Sequence, residues 1–308
     1  MPASGGGAGE PIRRMALGVI TVLIWSACFV IIKASQGSAP PLLFAALRAL
    51  VAGGSLLVVA ASAGKLWPPT EHWTWIGALG LTNTTLGLAG MFLSVGVIGA
   101  AIPGVLANSQ ALLVAPFAAL FFGEALSRGR VLGLLVGLSG VAVVLSGDGE
   151  GLMTVQGVAF SLMAAGGIAA GNLVMKHIGP RVDALTATAW QYVLGGLPLL
   201  GWALVVEDPA EVAWTRTFVA GLLFLGLIGS AGTSWLWYHL IRDGELIPLN
   251  GLTLLTPVFA LGLALLIYRE RLSAPSLAGV AATAAGVMWV SWPRAAAAEP
   301  PGRRLGAR

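Results

Sequence analysis

Eleven side chains set within long apolar runs are the candidates for handling a small solute. They are Trp25, Ser26, Asn83, Thr84, Asn108, Asn172, Trp235, Tyr238, His239, Asn250 and Thr253. Polar groups facing lipid lose their hydrogen-bond partners, so these should turn toward other helices or a water-filled cavity. In a cavity, amides would donate and accept while indoles offer flat apolar walls. That combination suits neutral or zwitterionic molecules with one polar and one apolar part. For any single Ser or Thr, an interhelical hydrogen bond worth about 0.6 kcal/mol is the simpler reading. For Asn83, Asn108, Trp235 and Tyr238 the two readings stand level.

Other chemistries lack their residues. No Asp or Glu falls in the middle of an apolar run, so the carboxylate relay common in proton-driven pumps is missing. There is no Gly-x4-Gly-Lys-Ser/Thr loop for a nucleotide, no Cys/His cluster at metal-ligand spacing, and a single cysteine, Cys28. No cofactor or metal is therefore expected. Arg48 lies well inside a run and needs carbonyl or water partners; a structural pairing is the favoured reading, with Gln191 at the corresponding place in the second half. Glu124 and Glu270 sit at helix ends beside Arg128/Arg130 and Arg269/Arg271, placed to clamp the loops that follow. His239, near its helix end, is read as meeting solvent. Pro103, Pro116, Pro248 and Pro257 are expected to bend two of the helices beside the cavity, as a gate would require.

The elements that must position these groups follow from composition. Of 308 residues, 57% are hydrophobic and 10% charged, with a mean hydropathy of +0.87. A soluble domain carries about a quarter charged residues, so this chain cannot be one. Apolar stretches of roughly 18–23 residues fit a ~30 Å hydrocarbon core. Ten are read, near 15–33, 41–62, 73–95, 100–122, 130–147, 153–176, 184–206, 217–240, 247–268 and 275–293. Continuous rather than alternating hydrophobicity excludes barrel strands. The tails, 1–12 and 295–308, are Gly/Pro/Ala-rich and expected to be disordered. Arg13-Arg14 before an apolar run looks like a secretory signal, but the run continues through Ile32 and nine more follow, so it is read as a retained first helix. The basic residues (net charge +4) are scattered between runs, which fits membrane orientation rather than nucleic acid.

A pattern written twice divides the chain. Glu124, Leu126, Ser127, Gly133, Gly140 and Val141 recur 146 residues later as Glu270, Leu272, Ser273, Gly279, Gly286 and Val287. Two fused halves, 13–148 and 149–294, are inferred. With the N-terminus cytoplasmic, inner segments hold Arg13, Arg14, Lys65, Arg128, Arg130, Lys176, Arg181, Arg242, Arg294, Arg303, Arg304 and Arg308. Outer segments hold Lys33, Arg216, Arg269 and Arg271. This positive-inside bias puts both termini in the cytoplasm. Five helices per half then relate the halves by an axis in the membrane plane. The expected fold is an all-α integral membrane protein of ten transmembrane helices in two inverted five-helix repeats. Glycines in the fifth and tenth helices are read as allowing close backbone approach within the scaffold, with a homodimer through them conceivable.

Trp25-Ser26-x-x-Phe29-Val30-x-x-Lys33 resembles the opening signature of the EamA-type drug/metabolite transporter superfamily. Arg48, Gly123-Glu124-x-Leu126-Ser127 and Pro257 followed by Glu270-x-Leu272-Ser273 match that pattern too, over about 14–293. Tyr268-Arg269 departs from the small residues usual there. The resemblance implies a ten-helix carrier for small metabolites, with the cavity built by helices 1, 3, 4, 6, 8 and 9. It also implies a bacterial-type inner-membrane location and a monomer or weak homodimer. The 11 tryptophans resemble a branch exporting aromatic and other amino acids. The favoured reading is amino-acid export by alternating access. The alternative is a transporter-like membrane scaffold or membrane-embedded enzyme without solute transport.

Overall fold

The computed structural model describes residues 9–35, 37–98, 103, 106–107, 109–146, 154–256, 258–259, 262–263 and 274–291. Asn108, Pro257, Glu270, residues 1–8 of the N-terminal tail and the whole C-terminal tail lie outside the described residues, and so do Arg269, Arg271 and the acidic pair Asp148 and Glu150. Residues 9–12, expected to be disordered, instead form the start of the first helix. In lipid every backbone amide must be satisfied within its own segment, and the described residues are accordingly helical with no strand among them. Their principal helical segments are numbered α1 to α10 in chain order. The first half has α1 (Gly9–Ala34), α2 (Pro41–Ser62), α3 (Trp73–Leu79, a π-helical stretch Gly80–Leu86, then Gly87–Ile98), α4 (Gln110–Phe122) and α5 (Arg128–Ser146). The second has α6 (Val155–Ile178), α7 (Ala184–Val206), α8 (Arg216–Leu223, a π-helical stretch Phe224–Gly232, then Thr233–Asp243), α9 (Leu246–Leu252 with a 3-10 turn Thr253–Leu255) and α10 (Ala274–Ser291). By length and composition, α1, α2, α3, α6, α7 and α8 can each cross a membrane; α4 and α9 are shorter apolar helices.

Five helix pairings map onto one another when the halves are exchanged. Helix α2 lies on α7, α4 on α9, and α5 on α10, while α3 packs on α6 as α1 does on α8. The two π-helical stretches also correspond, since 146 residues separate Gly80 from Gly226 and Leu86 from Gly232. Glycine sets the closest approach. A methyl group on Gly140 of α5 would lie 2.7 Å from the Gly279 carbonyl oxygen and 2.7 Å from Thr283 Oγ1 of α10. The small-residue faces of α5 and α10 are thus consumed within the chain.

Helix ends show how the halves are tied. Gly123 (φ 66°) takes the left-handed conformation that closes α4. Glu124, just beyond it, reaches the start of α9, where its carboxylate accepts the amides of Leu246 (2.5 Å) and Ile247 (3.0 Å). The expected clamp on the following loop is therefore a clamp on the opposite half. Glu207 at the end of α7 does the same for α2, accepting from Leu42 (2.9 Å) and Leu43 (2.7 Å). Both place a carboxylate on free N–H groups at the positive end of a helix dipole. Arg130 pairs with Glu245, and Lys176 caps the Ile241 and Gly244 carbonyls at the same end as Glu124. The expected bends resolve differently from one another. Pro116 sits inside α4, but Pro248 falls in the first turn of α9, where its missing N–H costs no helical bond. It starts that helix rather than bending it. Pro103 is buried.

Candidate functional site

A cavity with about 970 Å3 of atom-free space, its opening included, lies where the two π-helical stretches face the bundle centre. From α3 come Asn83 and Thr84 of the π-helical stretch, with Gly87, Leu88 and Met91 after it. From α8 come Gly229 of the corresponding stretch, then Ser234 and Trp237. A π-helical stretch spends an extra residue per turn and so shifts which side chains face inward; such stretches recur at functional sites. The rest of the wall is Trp25 and Cys28 (α1), Arg48 (α2), Ala107 and Gln110 (at and before α4), Ile168, Asn172 and Met175 (α6), Tyr192 (α7), and Thr253 and Thr256 (at and after α9). No described residue of α5 or α10 contributes, which matches their reading as scaffold.

A chain of hydrogen bonds runs along one wall. Trp237 Nε1 donates to Asn172 Oδ1 (3.2 Å), Asn172 Nδ2 to Asn250 Oδ1 (2.8 Å), and Asn250 Nδ2 to the Leu246 carbonyl (3.0 Å). The chain runs from the cavity to the helix start that Glu124 holds. Trp25 Nε1 donates to Thr233 Oγ1 (3.0 Å), and its ring meets Trp237 edge-on at 5.0 Å, forming an aromatic corner. Tyr192 Oη and Ser234 Oγ share a bond of 2.6 Å.

Arg48 is the charged residue in this wall. Its side chain is 4% exposed; Nε donates to Ser230 Oγ (2.7 Å) and Nη2 to the Gly229 carbonyl (3.2 Å). The expected carbonyl pairing is present, yet it is incomplete, because Nη1 is buried without a partner. Thr84 Oγ1 and Gln110 Oε1, also in the wall, are buried and unpartnered. The amide of Gln191 is buried and unpartnered as well, outside the wall.

Of the side chains singled out from sequence, Trp25, Asn83, Thr84, Asn172 and Thr253 line the cavity. Asn250 stands behind Asn172 as its orienting partner. Ser26 is turned away, donating to the Val22 (2.8 Å) and Thr256 (3.0 Å) carbonyls. Three others depart from expectation. Trp235 is 42% exposed on the outer face of α8, with His239 packed against its ring and bonded to its carbonyl. Tyr238 is fully buried but outside the wall. Beyond the π-helical stretch, Trp237 is the α8 tryptophan that lines the cavity. Sequence reasoning also passed over Cys28, Gln110 and Tyr192. Gln110 and Tyr192 carry the same signal as the chosen residues, a polar group deep in an apolar run.

A helical, lipid-compatible chain enclosing a largely apolar cavity with several polar side chains among helices of both halves defines the class: a multi-pass membrane protein with an internal cavity. The sequence profile of the EamA-like transporter family matches it twice, at residues 13–146 and 155–292. The chain belongs to that family. It is 29% identical to an uncharacterized transporter of Bacillus subtilis (strain 168), over 87% of this chain and 88% of that protein. It is 27% identical to a probable amino-acid metabolite efflux pump of Salmonella typhimurium, over 88% of this chain and 92% of the relative. A solved crystal structure shares the fold, with a TM-score of 0.77 over 90% of this chain and 96% of the other at 20% identity.

Proposed function

We propose that the protein is a secondary carrier exporting small metabolites, amino acids foremost, by alternating access through the central cavity. The observation that carries this is a wall combining indole faces (Trp25, Trp237), amides (Asn83, Asn172, Gln110) and one guanidinium, drawn from both halves. Such a wall serves solutes with an apolar body and a polar end. The Salmonella relative's name supports the amino-acid class. We further propose ten spans in two inverted repeats with both termini cytoplasmic. The exchange-symmetric helix pairing, the double family match and the distribution of Lys and Arg support that topology. One half rocking on the other would expose the same wall to each side in turn.

The test is uptake of radiolabelled amino acids into proteoliposomes containing the purified chain, with competition by unlabelled solute. Saturable, competed uptake is expected. If no solute in a broad panel moves, the scaffold or membrane-enzyme reading takes its place.

A further inference from the structure

The guanidinium of Arg48 does more than hold α2 against α8. We infer that it is the anchor for a solute carboxylate, so that the cavity selects solutes carrying a single carboxylate over their neutral amides and over cations. This deepens the carrier reading and rests on it.

A guanidinium carries five N–H donors and a charge it does not lose. Arg48 spends two of its nitrogens on a hydroxyl and a carbonyl, both neutral. Its third, Nη1, is buried with no partner, although desolvating a charged donor is costly unless an anion or acceptor meets it. No carboxylate stands in the cavity wall among the described residues. The Phe92 ring, 6.0 Å from the guanidinium carbon, offers a face but no anionic charge. The wall therefore presents one uncompensated positive charge. The bonds at Nε and Nη2 fix the plane of the group and leave Nη1 as the nitrogen a solute in the cavity that Arg48 lines would have to meet.

The remaining unpartnered wall atoms narrow the class. Gln110 Oε1 and Thr84 Oγ1 are neutral acceptors, suited to an ammonium or amide N–H of the same solute without demanding one. A single guanidinium neutralises one negative charge, so a carboxylate fits and a phosphate dianion is left half-compensated. A cationic solute without a carboxylate meets like charge at Arg48.

Intrinsic fluorescence reports binding, because Trp25 and Trp237 form part of the wall. The purified full chain is titrated with phenylalanine, phenylalaninamide, phenyllactate, phenyllactamide and inorganic phosphate. The expected result is tenfold or greater preference for each acid over its amide, in keeping with a charge-assisted hydrogen bond, and no competition by phosphate. In Arg48→Gln the preference should collapse to about twofold, and Arg48→Lys should restore part of it. A purely structural Arg48 would weaken all five ligands together and leave the acid-to-amide ratio untouched. Equal binding of acids and amides by the unaltered chain overturns the inference with no need for a folded variant, and so does phosphate competing as well as phenyllactate. Either result leaves carrier activity standing if labelled solutes still move in proteoliposomes.

Discussion

Replacing Glu124 by Gln removes the charge from a group that bridges the two halves. Its carboxylate accepts two amides at the first turn of α9, Leu246 at 2.5 Å and Ile247 at 3.0 Å, from a position one residue past the left-handed Gly123. Gln keeps one accepting oxygen. What is lost is one charge-assisted hydrogen bond and the attraction of a full charge to the helix dipole, together roughly 2 kcal/mol at a half-buried site. The clamp stands about 20 Å along α4 from Gln110 of the cavity wall, at the end also held by Arg130 with Glu245 and by Lys176. In the proposed alternating-access cycle that end opens by parting α4 from α9, so the clamp would hold its closed form. Its loss should shift the equilibrium about 30-fold toward opening there. The chain carries its own reporter: its single cysteine, Cys28, is 3% exposed and lines the cavity. Alkylation of Cys28 by a water-soluble maleimide should be markedly faster in Glu124→Gln than in the unaltered protein, approaching the 30-fold limit. An unchanged alkylation rate, alongside a lowered melting temperature, would refute the gating argument and reduce Glu124 to a helix cap.

Trp237→Ala should weaken solute binding at least tenfold, whereas Trp235→Ala should change it less than twofold; fluorescence titration of the pair decides whether α8 faces inward as described. Asn172→Ala strands the Trp237 indole N–H and the Asn250 amide oxygen, costing roughly 2–4 kcal/mol of stability, visible as a thermal shift together with weaker binding. Gly140→Val forces side-chain atoms onto the Gly279 carbonyl and Thr283, and a loss of about 3 kcal/mol or failure to yield monodisperse protein is expected. At the start of α7, burial pulls the Asp183 carboxyl upward in pKa. The Lys65 hydrogen bond (2.9 Å) and the amides of Thr186 and Leu185 outweigh it, so the value lies below the ordinary 3.8. A depressed carboxylate contributes stability above its unfolded pKa and loses it as pH falls through the folded one. Asp183→Ala should therefore cost about 1 kcal/mol equally at pH 7 and pH 5, with the difference from the unaltered chain shrinking only below about pH 4, as thermal melts across pH would show.

Much of the bundle was legible because lipid imposes simple rules. A continuous apolar run must be helical, so the spans were readable within a few residues at most ends; α3 begins at Trp73, as expected, and continues to Ile98. Polar groups in such runs must find partners, so Asn83, Asn172 and Thr253 could be picked out as candidates for the wall. The glycine repeat announced close packing in the fifth and tenth helices, and α5 meets α10 through those glycines.

Sequence by itself thus determined the class of protein, its doubled construction, its family resemblance and several of the side chains in its cavity wall. Those properties rest on hydrophobicity and local spacing. Tertiary structure alone decided which face of α8 looks inward. No local pattern shows that beyond the π-helical stretch Phe224–Gly232 it is Trp237 that lines the cavity while Trp235 lies on the exposed face. It alone showed Glu124 bound to a helix start 122 residues further along the chain, not to its own loop. And it alone left Arg48 with one nitrogen unmatched. Each of these depends on contacts between segments far apart in sequence, where no local pattern records which partner arrives and which does not.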